Sequence, residues 1–199
     1  MFTHLNNYTP HRIELEKERV NAVLIPLIKK EDGYHILFEV RSKHLRRQPG
    51  EICFPGGRVE SFESPKEAAI RETCEELLLS PSQVHVFGGL DYVINNARLR
   101  IEPFLGELLD YENTFSTDEC DSVFSVPLSF FLENEPEVHY TKTFNVPEED
   151  FPFEDVPGGR NYPWSVGKYS VYFYRYEDKI IWGLTAKMLY HNLKHLSPA

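Results

Sequence analysis

The sequence lacks a long apolar run and has more negative than positive charge. No hydrophobic segment reaches the roughly 18 residues that a membrane-spanning helix needs, and the first nineteen residues carry no apolar stretch of the signal-peptide kind. Acidic residues outnumber basic ones, 31 against 21, whereas nucleic-acid binding usually shows as a basic footprint. We therefore expect a cytoplasmic protein with neither a membrane nor a nucleic acid as partner.

Cysteine is also scarce. The three cysteines, Cys53, Cys74 and Cys120, are widely spaced, so they form neither a metal-binding pair nor an even-numbered disulfide framework. Reduced thiols are therefore expected. What the chain does contain is material for a packed core, since 41% of its 199 residues are hydrophobic and 14% are aromatic. We assign residues 1–199 to a single domain with an N-terminal extension over 1–19.

The apolar pattern predicts mostly strands. Residues 20–28 and 34–41 are β-rich runs that a turn at 29–33 joins into a hairpin. Helices are expected near 12–19, from about 65 to 79, and from about 184 to 196. Because strands dominate, we predict an α/β (α+β) domain and not a regular βαβ array. Further strands are predicted at 84–90, 99–108, 122–126, 138–144, 169–176 and 179–182.

The helix from residue 65 has a well-marked start. Ser64 can cap it, Pro65 occupies the first helical position, and Glu67 can complete a capping box. An apolar face then follows helical spacing and can face a core. Its members are Ala69, Ile70, Thr73, Cys74 and Leu77.

Glu72, Glu75 and Glu76 follow the spacing i, i+3 and i+4, which predicts that their side chains converge on the other face. Adjacent carboxylates repel one another unless a cation lies among them. Arg71 can pair with Glu67 or Glu75, and the remaining charge suits a hard divalent ion that takes oxygen ligands and binds substrate phosphates. A solvated acidic face is the alternative.

The complete pattern, G-x5-E-x7-R-E-x-x-E-E, begins at Gly57 and includes Glu63. It resembles the box of the Nudix hydrolase family, G-x5-E-x7-R-E-U-x-E-E-x-G-U, in which U is a bulky aliphatic residue. Two positions differ: Thr73 replaces an aliphatic residue, and Leu78 replaces a glycine that normally adopts a left-handed conformation at the helix end. Because leucine resists that conformation, we expect the helix to continue to Ser80.

The resemblance implies an α/β/α sandwich with a mixed sheet, in which the box forms a loop–helix–loop motif. It also implies a hydrolase that uses Mg²⁺ or Mn²⁺ and cleaves a nucleoside diphosphate linked to another group. Carried over by position, it makes Glu72 and Glu76 the strongest metal ligands and Glu75 a third. It also makes Glu63 a water-mediated or outer ligand, the Gly57 carbonyl a further contributor, and Arg71 the residue that orients the glutamates.

The general base is left open. Glu72 and Glu75 are candidates within the box, and Glu119 is a candidate outside it, because related enzymes often carry an acid near the metals at that point of the chain. A solvated loop acid is the alternative for Glu119.

The residues before the box limit the choice of substrate class. Leu37 to Gly57 resembles the signature of the coenzyme A pyrophosphatase branch, L-L-T-x-R-[SA]-x3-R-x3-G-x3-F-P-G-G. The opening differs, since Glu39 puts a charge where threonine is usual. The branch implies hydrolysis of CoA or acyl-CoA to 3′,5′-ADP and 4′-phosphopantetheine. The matching positions are Arg41, Ser42, Arg46, Gly50, Phe54, Pro55, Gly56 and Gly57.

Arg41, Arg46 and Arg47 belong to the densest basic run of this acidic chain. CoA carries a 3′-phosphate besides its diphosphate, and guanidinium groups suit phosphate oxygens. We predict that these arginines and Gly56 bind substrate. The alternative for Arg46 and Arg47 is that they balance nearby acids such as Glu51.

Three functions compete. The leading hypothesis is a CoA or acyl-CoA diphosphatase. The alternatives are a pyrophosphatase for ADP-ribose, NADH or another nucleotide, and a nucleotide-binding module without activity, against which the intact glutamates argue. The sequence leaves the acyl preference, the number of metal ions and the oligomeric state open, with a homodimer as one option.

Residues 145–168 form a separate segment with four prolines and three glycines, which excludes a regular helix or a central strand. The aromatic residues of the segment favour a packed loop over a free linker. We predict an insertion loop that covers the non-nucleotide end of the substrate. A rigid loop packed away from the site is an equal alternative.

Overall fold

The computed structural model describes residues 19–95 and 99–196. The N-terminal extension and its predicted helix lie outside these ranges, apart from Arg19, which begins the first strand. In the described part of the chain, no helix is long and apolar enough to cross a membrane.

Strands dominate the order of elements, as predicted. The strands are β1 (Arg19–Lys30), β2 (Gly33–Arg41), β3 (Ile52–Cys53), β4 (Gly56–Arg58), β5 (Val84–Gly89), β6 (Val93–Ile94), β7 (Leu99–Leu108), β8 (Cys120–Pro127), β9 (Glu137–Thr143), β10 (Gly167–Tyr176) and β11 (Lys179–Trp182). The helices are α1 (Pro65–Leu77), α2 (Leu128–Glu133) and α3 (Gly183–Leu196). The sequence analysis missed β6 and α2 and gave no bounds for β3 and β4, all of which are short.

The predicted hairpin is confirmed, because β1 and β2 pair antiparallel from Leu27 with Ile36 to Lys30 with Gly33. Beyond this point two short strands take over the pairing. β3 pairs with β2, and β4 pairs with β1 so that Gly56 lies opposite Val23. The turn between β3 and β4 is thereby held against β1.

The large sheet is mixed. Its order is β3-β2-β1-β7-β5, with β8 also paired to β2 and β6 to β7. β1 runs parallel to β7, while the other pairs in this sheet are antiparallel. A second, antiparallel sheet has the order β11-β10-β9. The predicted α/β class with a mixed sheet is therefore confirmed.

Successive side chains of β1 point to opposite faces of the large sheet, so this strand contributes to two hydrophobic cores. Leu24 and Ile28 pack in a cluster with Leu77 of α1. Ile25 and Leu27 point to the other face, into a cluster that includes residues of α2, α3 and the second sheet. The large sheet thus has α1 on one face and the second sheet with α2 and α3 on the other.

The end of α1 corrects one expectation. The predicted capping box at Ser64 and Glu67 is present, but α1 ends at Leu77 and does not continue to Ser80. Leu78 adopts the left-handed conformation, with φ 56° and ψ 46°. The amides of Leu78 and Leu79 both donate to the carbonyl of Cys74. These closing hydrogen bonds offset the strain that leucine carries in this conformation.

Leu78→Gly should therefore raise the melting temperature. Relief of the left-handed strain is worth about 1–2 kcal/mol, and the extra unfolded-state entropy of glycine removes about 0.5–1 kcal/mol of that. Leu78 is 60% exposed, so little packing is lost. We expect a rise of about 2–4 °C by differential scanning calorimetry. Leu132→Gly, in the right-handed turn of α2, is the matched control and should lower the melting temperature; a fall in both would contradict the argument.

Residues 145–166 are a packed loop between β9 and β10, and the last two residues of the predicted segment, Gly167 and Lys168, belong to β10 instead. The aromatic side chains of the loop contact one another: the Phe151 ring lies 5.0 Å from Phe153 and 5.6 Å from Trp164, and Tyr162 lies 4.9 Å from Trp164. The guanidinium of Arg160 lies 4.4 Å from the Phe153 ring centroid. None of these residues lines the large cavity described below. This arrangement favours the packed-loop alternative over a cover for the substrate.

Candidate active site

The site begins at two glycines that no other residue could replace without movement. Gly56 has φ +149°, and a Cβ there would overlap the carbonyl of Ala22. A Cβ at Gly57 would overlap the carboxylate of Glu72. The β3–β4 turn can therefore approach both β1 and α1 only because neither residue carries a side chain.

Glu76 lies inside the protein, contrary to the prediction of one shared acidic face. Its residue exposure is 5%, and its Oε2 accepts a hydrogen bond of 2.8 Å from the amide of Gly56. Burial raises the pKa of Glu76, and the nearby charges of Glu39 and Glu72 raise it further. Glu75 instead has a side chain that is 60% exposed. Glu72 and Glu76 therefore face the segment around Gly56 and Gly57, which we call the glycine turn, whereas Glu75 faces solvent.

Arg71 contacts three of the acids, and of the two partners predicted from helical spacing it is Glu75 that it reaches. Its Nε and Nη2 bind the two oxygens of Glu63 at 3.1 and 2.8 Å. Its Nη1 donates to Glu72 at 2.8 Å and to Glu75 at 3.3 Å. The hydrogen bonds from Arg71 lower the pKa of Glu63, whereas burial raises the pKa of Glu72 despite the same partner. Arg71 therefore fixes the loop acid to the helix.

The donor set fits a hard divalent ion. In the described ranges, no three His, Cys, Asp or Glu side chains are grouped so that they alone could hold a metal. Mg²⁺, however, is usually bound through one or two carboxylates and completes its shell with water and substrate phosphates. Glu72 and Glu76 supply two such carboxylates beside the glycine turn.

A cavity of about 480 Å³ opens beside the glycine turn. Arg41, Gln48, Glu51 and Gly56 are among the residues that line it. Arg41 is half-buried, and its Nε has no hydrogen-bond partner among the described residues. A buried guanidinium nitrogen without a partner is a donor available to an anion in the cavity.

The arginines of the predicted basic run do not all lie at the cavity. Arg41 and Gly56 line the cavity, whereas Arg46 and Arg47 are exposed on the same loop and do not line it. Glu119 is exposed in the loop before β8, where its backbone carbonyl accepts a hydrogen bond from Ser42. The substrate role of Arg46 and Arg47 and the base role of Glu119 stay predictions.

Two residues near the site were not assigned a role from the sequence. Glu39 is 2% exposed, and its carboxylate accepts hydrogen bonds from the thiols of Cys53 at 3.4 Å and Cys120 at 3.2 Å. Burial raises its pKa in spite of these bonds. The signal in the sequence was a charge inside an apolar strand. Gln48 lines the cavity from a loop that gave no such signal.

Known proteins resemble this chain in sequence and fold. The NUDIX domain family matches residues 18–142. The peroxisomal coenzyme A diphosphatase NUDT7 of Mus musculus is 38% identical over 149 residues, which are 71% of this chain and 62% of that protein. Nudix hydrolase 3 of Caenorhabditis elegans is 31% identical over 183 residues, which are 89% of this chain and 73% of that protein.

A solved structure supports the fold alone. A MutT/nudix family protein from Enterococcus faecalis aligns with a TM-score of 0.56 and 14% identity, over 94% of this chain and 65% of that one. Nudix enzymes generally use divalent metal ions and act on small nucleotide substrates. The cytoplasmic location stays a prediction, since the mouse relative is named as peroxisomal. The matched domain covers well over half of the chain, and the chain therefore belongs to the Nudix hydrolase family.

Proposed function

We propose that this protein is a divalent-metal-dependent diphosphatase that hydrolyses CoA or acyl-CoA. The observation that carries the proposal is the position of Gly56, which lines the cavity and also donates its amide proton to Glu76. An anion bound beside Gly56 in the cavity would therefore lie next to the Glu76 carboxylate of α1. Arg41 lines the same cavity.

Glu72 and Glu76 would hold Mg²⁺ or Mn²⁺, with Glu75 and Glu63 as outer contributors and the Gly57 carbonyl beside them. When bound, the ion supplies Lewis-acid stabilisation of charge on the diphosphate and a more acidic water. Arg71 keeps Glu72 in position through its contacts with Glu63 and Glu72.

The protein's own groups would place the diphosphate. The Arg41 guanidinium binds its oxygens with charge-assisted hydrogen bonds, while one of the three candidate bases, Glu72, Glu75 or Glu119, accepts the proton of the attacking water. The oxygen of water forms a new bond to one phosphorus, and the phosphoanhydride P–O bond breaks. The products are 3′,5′-ADP and 4′-phosphopantetheine, or its acylated form.

Similarity supports the choice of CoA. The mouse relative is named as a coenzyme A diphosphatase, and the stretch from Leu37 to Gly57 resembles the signature of that branch. The alignment covers 62% of the mouse protein, so the activity of the whole relative is offered here only as a proposal for this chain.

The test is product analysis on a substrate panel of CoA, dephospho-CoA, NADH and ADP-ribose with Mg²⁺, with Mn²⁺ and with EDTA. We expect metal-dependent release of 3′,5′-ADP from CoA and at least about tenfold lower kcat/KM for ADP-ribose. Faster turnover of ADP-ribose or NADH would replace CoA with another nucleotide. No metal-dependent turnover of any diphosphate would make the protein a binding module.

A further inference from the structure

The second sheet ends in a strand with one free edge. β9 pairs with β10 over its whole length, from Glu137 with Phe173 to Thr143 with Gly167. In the described part of the chain no strand pairs with the other edge of β9, and all of its residues except Thr143 are exposed. A free edge presents unpaired amide and carbonyl groups to solvent and is therefore a template for pairing with a further strand.

β9 lacks most of the features that protect an edge from such pairing. Proteins protect their edges with short strands, prolines, bulges and charged side chains. β9 has 7 residues without a proline, and its pairing with β10 shows no register shift. At the end of the large sheet, β5 has a register shift between Val86 and Gly88. The outer edge of β9 is thus regular enough to accept another strand.

One face of β9 is apolar around a lysine. Val138, Tyr140 and Phe144 alternate along this face with Lys142, and Tyr140 and Phe144 are 60% and 65% exposed. Lys142 lies opposite Lys168 of β10, and like charges in this position repel each other. Lys168 has a partner, since its Nζ lies 3.6 Å from the centroid of the Tyr140 ring. A strand added at the outer edge stabilises β9 most if it brings an aromatic ring or an acid next to Lys142.

A second copy of the same strand meets this requirement. Two identical edges can join antiparallel about a two-fold axis. With the axis at Thr141, Tyr140 lies opposite the second copy's Lys142, Val138 lies opposite its Phe144, and the two Thr141 residues face each other. Cation–π, aromatic–β-branched and Thr–Thr pairs are each favourable across strands, and no like charges are opposed. With the axis at Tyr140, Lys142 would instead face Val138 and have no ring directly opposite.

We propose that the outer edge of β9 is a docking surface for a second copy of this chain, which pairs with it antiparallel about an axis at Thr141. The second sheet then continues across both copies in the order β11-β10-β9-β9-β10-β11. A single pair of strands makes a small interface, and interfaces below about 1,200 Å² are typical of weak contacts. We therefore expect a reversible dimer whose population rises with protein concentration.

Analytical ultracentrifugation from low to high micromolar concentration tests this expectation. The mean mass of the wild type should rise from that of one chain towards twice that value. Tyr140→Lys opposes two lysines at both symmetric positions, and we expect it to remain a monomer throughout. Phe87→Lys is the matched control, because Phe87 is an exposed aromatic residue on β5, and it should behave as the wild type.

A mixing experiment separates contact between copies from local damage to β9. Tyr140→Lys has lysine at positions 140 and 142, and the double variant Tyr140→Glu, Lys142→Glu has glutamate at both. Each alone should be a monomer because like charges are opposed, and an equimolar mixture should form a heterodimer. Mixing cannot repair a strand that is unfolded in one chain, so recovery of the dimer requires that the two edges meet.

Tyr140→Glu alone tests the register. With the axis at Thr141 the new carboxylate faces the second copy's Lys142, so the dimer should persist. Dissociation by Tyr140→Glu would contradict the proposed pairing, because it indicates that the two positions 140 face each other. The inference is also wrong if the wild type is a monomer at every concentration, if Tyr140→Lys still dimerises, or if the mixture forms no heterodimer. None of these results depends on the substrate of the enzyme.

Discussion

Glu76→Gln should abolish nearly all turnover, with a loss of kcat of roughly a hundredfold or more at saturating Mg²⁺. Replacement of groups that only support a metal ligand costs 10–100-fold, and a direct ligand should cost at least as much. Glutamine keeps the shape and can still accept the hydrogen bond from Gly56, so the fold should persist.

The same variant should stabilise the protein without metal. The folded-state pKa of Glu76 is raised above its ordinary value, so the folded state binds the proton more tightly than the unfolded state. The stability due to this proton is complete below the ordinary pKa and is lost as pH rises through the folded pKa. Glutamine removes that loss, and we expect a melting temperature in EDTA that is higher by a few degrees at pH 8, with a smaller gain at pH 5.

Glu133→Gln, an exposed substitution in α2, is the control and should change neither rate nor melting temperature. Steady-state kinetics across a Mg²⁺ titration measures the loss of kcat, and calorimetry at the two pH values measures the change in melting temperature. If Glu76→Gln kept most of the wild-type kcat, Glu76 would not be a metal ligand.

Arg41→Ala should lower kcat/KM for CoA by about ten- to a hundredfold, because a hydrogen bond to a charged group is worth roughly 1.5–3 kcal/mol. Arg41 lines the same cavity as Gly56 and has a buried Nε without a partner among the described residues, so its predicted partner is the diphosphate. Dephospho-CoA, which lacks the 3′-phosphate but keeps the diphosphate, should lose activity by the same factor. Arg41→Lys should recover only part of the loss, since lysine cannot form a two-pronged contact.

Arg46→Ala is the matched comparison. Arg46 is exposed and lies outside the cavity lining, and its expected partner is the 3′-phosphate. The variant should therefore lower kcat/KM for CoA more than it lowers kcat/KM for dephospho-CoA. A reversed pattern, in which Arg41→Ala affects only CoA and Arg46→Ala affects both substrates, would exchange the two assignments.

Features set by neighbours in sequence could be predicted from the sequence. The capping box at Ser64 and the β1–β2 hairpin each depend on residues a few positions apart, and both are present. The contact between Arg71 and Glu75 follows the i, i+4 spacing of a helix in the same way, whereas the contacts of Arg71 with the adjacent Glu72 and with the loop acid Glu63 do not.

Features set by the packing of distant elements could not be predicted. Whether Glu76 faces solvent or the interior depends on the β3–β4 turn, which reaches α1 because Gly57 has no side chain. The helix end at Leu78 depends on closing hydrogen bonds and on contacts of the following residues, which outweigh the local preference of leucine. The cavity brings Val23 of β1 together with Tyr169 and Met188, which are more than a hundred positions away in the chain, and no local sequence pattern predicts that proximity.

The cysteines have a practical consequence for handling the enzyme. Burial raises the pKa of Cys53, Cys74 and Cys120, and for Cys53 and Cys120 the charge of Glu39 raises it further. Alkylating reagents and peroxides attack the thiolate, and its fraction at neutral pH falls as the pKa rises. A buried thiol that donates a hydrogen bond to Glu39 is therefore a poor target for oxidation. Activity should withstand iodoacetamide and storage in air, so the enzyme can be purified without a reducing agent.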